Sequence, residues 1–174
     1  MNPGVCEQKI LDHLSKIPKK ILTIHGLENI PEFVLHDLCR EGCFNLHKAA
    51  YLVDNTDFNY CKGIAGFSRN ESYADPDDIW EDPHAFSLYM RSCPFNQRVR
   101  TFEIKSPRRN GVEKDVFIHQ LVKEFSFHAP DYLMWEMKHN NVGMLIFDRG
   151  TDHADHVHEH LKNSVYLFGF CPIF

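Results

Sequence analysis

The stretch Cys43–Phe67, CFNLHKAAYLVDNTDFNYCKGIAGF, decides how this chain is read. Cys43 to Val53 is rich in strand-compatible residues, Asp54-Asn55-Thr56-Asp57 is a turn cluster, and Phe58 to Phe67 reads as a second strand. Together they predict a β-hairpin over 43–67. Gly63 and Gly66 inside its second strand predict a bulge or a close approach by another piece of backbone.

Working outward, residues 1–42 read as a helical N-terminal part. Ile10, Leu11 and Leu14 have helical spacing, and Pro18-Lys19-Lys20 is expected to end that helix. A second helix is expected over 31–41, with Pro31 in its first turn and Gly42 just past its end. After the hairpin comes an acidic loop, 68–83, carrying Glu71, Asp75, Asp77, Asp78, Glu81 and Asp82 with Tyr73 and Trp80 among them. Its last pair, Asp82-Pro83, fits an N-cap followed by proline in the first turn of a helix bearing Phe86, Tyr89 and Met90. Val99 to Ile104 alternates as a strand would, residues 113–127 have helical spacing, and Pro130 to His139 reads as a further helix. Residues 142–171 form a C-terminal strand–helix–strand unit, with strands at Val142–Phe147 and Val165–Cys171 around a helix over 152–162. Helices and strands interleave without strict βαβ alternation. The expectation is a single α+β domain, a mixed sheet of about five strands packed with helices.

Composition agrees with this and narrows function. A chain of 174 residues with 43% hydrophobic and 25% charged residues suits one globular domain and excludes a disordered, collagenous or coiled-coil chain. A net charge of −5 argues against a nucleic-acid or anionic-membrane partner, and no apolar run approaches the length that spans a bilayer. The N-terminus lacks the pattern of a secretory signal, and the six cysteines are scattered without a Cys-x-x-Cys pair. A cytoplasmic protein with buried free thiols is expected. Cys39, Cys43 and His47 have half-site spacing only on one continuous helix, which Gly42 and the strand beginning at Cys43 oppose.

Histidine is the outlying count. Protonating all twelve would carry the net charge to +7. Four crowd into Asp152-His153-Ala154-Asp155-His156-Val157-His158-Glu159-His160. On a helix, Ala154, Val157 and Leu161 make an apolar stripe, with His153, His156 and His160 in one arc beside it. Three imidazoles at that border are the ligand type for zinc or iron, and Asp148 is placed to complete the set or to orient a histidine. The basic stretch after the acidic loop supplies Arg98 and Arg100 as candidates for holding a substrate anion. The acidic loop itself is a candidate lid.

The lead expectation is therefore a metal-dependent enzyme acting on a small polar or anionic substrate. Its water, bound to the metal, would be the nucleophile. The alternative is a non-catalytic ligand-binding or interaction domain. There the aromatic stretch Tyr166 to Phe170 is either a core strand or a homo-oligomer interface, or the histidines make a contact pH-responsive.

Overall fold

A computed structural model describes residues 3–24, 26–71, 73, 79–149 and 155–171, without the side chains of 3–6 and 155–157. The α+β class and the five-stranded sheet are as expected. Every strand pairing is antiparallel, however, so the sheet is not mixed. The order is β3-β2-β1-β5-β4. Its strands are β1 (Leu46–Asn55), β2 (Tyr60–Ser68), β3 (Glu103–Ile104), β4 (Pro130–Glu136) and β5 (Asn141–Arg149). Among the described residues the α-helices are α1 (Pro3–Thr23), α2 (Ile30–Cys39), α3 (Pro83–Ser92), α4 (Pro94–Arg100), α5 (Lys114–Phe125) and α6 (Asp155–Ser164).

The hairpin is the centre of the molecule. Because side chains alternate along a strand, β1 sends Ala49, Tyr51 and Val53 to one core and Ala50 and Leu52 to another. On the first face Tyr51, Trp135, Leu145 and Phe147 pack with Ile10, Ile17 and Ile21 of α1, with α2, and with Leu161 of α6. On the second, Leu52, Met144 and Ile146 pack with Phe95 and Val99 of α4 and Phe117, Leu121 and Phe125 of α5. A satellite cluster of Phe33, Ile79, Phe86, Met90 and Cys93 joins α2 to α3.

Both readings of the hairpin glycines apply. The β1–β2 register slips between Tyr51 and Leu52, leaving Ile64 as the extra residue of a bulge. Gly63 and Gly66 lie under α4: a Cβ on Gly63 would stand 1.9 Å from the Val99 carbonyl oxygen, and one on Gly66 2.9 Å from Val99 Cγ2. The missing side chains let the helix backbone rest directly on the sheet.

Four sequence readings are corrected. The 130–139 helix is instead strand β4, with Leu133 and Trp135 on the first face and Tyr132 on the second. Pro18 sits inside α1 rather than ending it, because Ile17 and Ile21 are buried on both sides of the lost hydrogen bond. Val99 and Arg100 close helix α4, leaving only Glu103–Ile104 as strand. Residues Val165–Phe170 form a 3-10 helix, not a strand; Val165 and Phe168, three apart, are buried while Tyr166 and Phe170 face out. The Asp82-Pro83 reading stands: the Asp82 carboxylate accepts the Ala85 N–H at 3.0 Å and α3 begins at Pro83.

Cys39, Cys43, Cys61, Cys93 and Cys171 are free and buried. Burial pushes the Cys43 and Cys171 thiols up to about 12, so they are inert as nucleophiles near neutral pH. Among the described residues no helix is long and apolar enough to cross a membrane.

Candidate functional site

Among the described residues a cluster of chemistry-bearing side chains lies at one end of the sheet, where β1 begins and β2 and β5 finish. Strand register builds it. Lys48 pairs with Ser68 on β2 and with Asp148 on β5, so the three residues form a row across neighbouring strands. Asp148 follows Ile146 by two residues and Lys48 precedes Ala50 by two, which puts both on the α4/α5 face. A cleft of about 380 Å³ opens over this row, lined also by His47, Arg69, His128 and Arg149.

Asp148 is buried, and its carboxylate accepts the backbone N–H of His128 at 3.2 Å and of Ala129 at 3.2 Å. These bonds fix the carboxylate and the turn between α5 and β4. The His128 ring, 92% exposed, holds Nδ1 3.8 Å from Asp148 Oδ2. At that distance ring and carboxylate are neighbours rather than a hydrogen-bonded pair; a carboxylate orients an acid–base imidazole when the two come into contact.

Lys48 reaches across the cleft floor. Its ammonium donates to the Phe125 carbonyl at 2.6 Å and the Ser126 carbonyl at 3.1 Å, capping α5, and lies over the rings of Phe95 and Phe127. Burial among those groups lowers its affinity for a proton; Asp148 and Glu71 oppose the shift and Arg98 adds to it. Arg69 donates to Asn45 and to the Leu46 carbonyl, and Arg149 to Asp131 and to His158 Nδ1 at 2.9 Å. Among the described residues three cations thus border the cleft against one lining carboxylate.

The structure separates the other candidates. His160 is on α6, which packs on the opposite face of the sheet from Asp148, and its Nε2 meets Glu7 Oε1 at 2.9 Å. His153 and the side chain of His156 lie outside the described residues. Among the described residues no group of three or more histidine, cysteine, aspartate or glutamate side chains is placed to hold a metal ion. Arg98 pairs with Glu124 of α5, its guanidinium also reaching the Glu124 carbonyl, whereas Arg100 pairs with Glu32 of α2 at 2.9 Å; the two do not meet. Cys39 and Cys43 are in the core while His47 is exposed at the cleft. Of the loop proposed as a lid, Asp75, Asp77 and Asp78 lie outside the described residues. Trp80 donates to Asp37 at 3.0 Å and Tyr73 packs on Phe86, both away from this cleft.

Sequence reasoning reached Asp148 but not His128 or Lys48. His128 sits just beyond α5 and Lys48 at a strand start, and neither has a local motif. Only the pairing of β1 with β5 reveals their convergence.

Fold and site define an α+β domain with a bare antiparallel sheet end used as a polar cleft. No protein-family model, curated protein or solved structure matches the chain.

Proposed function

We propose that the chain is an enzyme that hydrolyses an ester of a small, negatively charged molecule bound in the cleft at the sheet end: water attacks the ester centre as His128 takes its proton, and the proton is returned to the leaving oxygen as the ester bond breaks. The observation that carries this reading is the buried Asp148 carboxylate. Two backbone N–H groups fix it, and it faces an exposed imidazole in a cleft bordered by Lys48, Arg69 and Arg149. In this reading His128 is the acid–base group and Asp148 positions it. The cation excess favours a phosphate- or carboxylate-bearing substrate. This proton transfer is assigned to His128 and Asp148, and His158 of α6 reaches the cleft border through Arg149.

The test is a screen of chromogenic phosphate and carboxylate esters, run together with ring-proton NMR of His128 during titration with citrate. The expected result is turnover of at least one class that falls about a hundredfold in His128→Ala, the usual scale of acid–base assistance. It should fall less in Asp148→Asn, which keeps an acceptor for the two N–H groups. Turnover that survives both substitutions would overturn the reading. So would a wild type with neither turnover nor displacement of the His128 resonances.

A further inference from the structure

A second cleft, of about 460 Å³, lies away from the sheet end between the start of α2, the length of α3 and the end of α4. Its floor is a buried polar network. Glu32, 1% exposed, accepts from Asn29 Nδ2 at 2.7 Å, from Asn96 Nδ2 at 2.8 Å and from Arg100 Nη1 at 2.9 Å. Asn96 also receives the Gly66 N–H at 2.9 Å, and Ser87 donates to Asn29 at 3.1 Å. The network therefore ties α2, α3, α4 and β2 together around one carboxylate. It also fixes the Arg100 guanidinium at the cleft wall.

The donors facing that cleft exceed what the protein itself can accept. Arg100 spends one nitrogen on Glu32, and a guanidinium carries five N–H donors. Arg91 and His84 line the same space, and among the described residues neither side chain has a hydrogen-bond or ion-pair partner. Among the described residues Glu28 is the one carboxylate on the lining, since Glu32 lies behind Arg100 and accepts from three donors. Two guanidiniums lining one cleft, Arg91 from α3 and Arg100 from α4, supply donors for the oxygens of a phosphate or carboxylate, and the volume is that of a small-molecule site.

We infer that this cleft is a binding site for a small molecule bearing an oxyanion, held by Arg91 and Arg100 with His84 at the rim. The site does not depend on the acid–base cleft, and it shares no lining residue with it. Arg100 is pre-oriented by Glu32, so little side-chain entropy remains to be lost on binding.

The test is a backbone and arginine side-chain NMR titration of the whole chain with inorganic phosphate and, separately, with acetate. The expected result is saturable shifts at residues 26–29 and 84–91 and at the Arg91 and Arg100 Nε–H groups. Arg91→Gln, at an exposed position, should weaken the affinity about tenfold or more without moving the thermal midpoint. His84→Ala should weaken it less. Phosphate shifts without acetate shifts would define a phosphate site, and shifts with both a general oxyanion site. Absence of saturable shifts there, shifts unaltered by Arg91→Gln, or shifts confined to His47, Lys48, Ser68, Arg69 and Arg149 would each overturn the inference.

Discussion

His36 gives the sharpest test of the packing. It lies on α2, 5% exposed, edge-on to the rings of Phe67 at 5.4 Å and Phe86 at 5.1 Å. Its Nε2 accepts the Tyr73 N–H at 3.3 Å, so the ring proton sits on Nδ1, a buried atom without a hydrogen-bond partner among the described residues. Burial lowers its pKa to about 4, with Asp37 opposing the shift and Arg40 adding to it. The unfolded chain has the ordinary value near 6.5. Above that pH both states hold a neutral ring and the residue has no pH effect. As pH falls from about 6.5 toward 4, the unfolded chain takes up a proton that the native state refuses, so stability drops. The 2.5-unit gap amounts to about 3 kcal/mol once pH is below 4, and about 2 kcal/mol of it is already lost at pH 5. His36→Gln keeps an acceptor for Tyr73 and removes the titration. Urea unfolding at pH 7.5 and pH 5.0 should show wild type losing about 2 kcal/mol more than the variant between the two. Parallel pH dependence in the two proteins would refute the reasoning, as would a His36 ring that titrates near 6.5 by NMR.

Two further predictions concern the sheet face and α6. Gly63→Ala should cost about 3 kcal/mol or more, because the new Cβ would stand 1.9 Å from the Val99 carbonyl oxygen; Gly66→Ala should cost less, because its nearest contacts, Val99 Cγ2 at 2.9 Å and Asn96 Cα at 3.1 Å, overlap far less. Denaturant midpoints of the two variants check this, and a Gly63→Ala protein no less stable than Gly66→Ala would end the close-approach account. A metal on the histidine-rich helix predicts stoichiometric zinc or iron in untagged protein, lost in His156→Ala and in His160→Ala. Elemental analysis decides: wild type that takes up neither ion removes the reading, and metal retained in both variants moves the site elsewhere.

The sequence was legible where local chemistry and tertiary packing agree. The hairpin, its two glycines, the Asp82-Pro83 start of α3 and the stripe Phe117, Ile118, Leu121, Phe125 of α5 could all be read directly. The misreadings share a physical origin in a sheet covered on both faces. Strand β4 carries apolar residues on both sides, Tyr132 toward α5 and Leu133 and Trp135 toward α1 and α2, so period-two alternation vanishes and a helix is read in its place. Pro18 misled for the opposite reason, since burial of Ile17 and Ile21 outweighs one missing hydrogen bond. The site was the least legible part. Asp148 and Lys48 are a hundred residues apart and are neighbours only through strand register, while of the histidines that dominate the sequence His160 turns to Glu7 and His158 meets Arg149 at the cleft border.

The packing of α1 has a consequence for synthesis. Ile10, Ile17 and Ile21 share a core with Leu161, Val165 and Phe168, and Glu7 meets His160 across a separation of 153 residues. A ribosome adding about 5–20 residues per second makes the second half of that seat only about 7–30 s after the first. Through that interval the nascent helix displays three isoleucines with part of their partners still unmade, a natural target for a holding chaperone. Emergence of residues 161–168 from the ribosome then becomes the event that lets this core close.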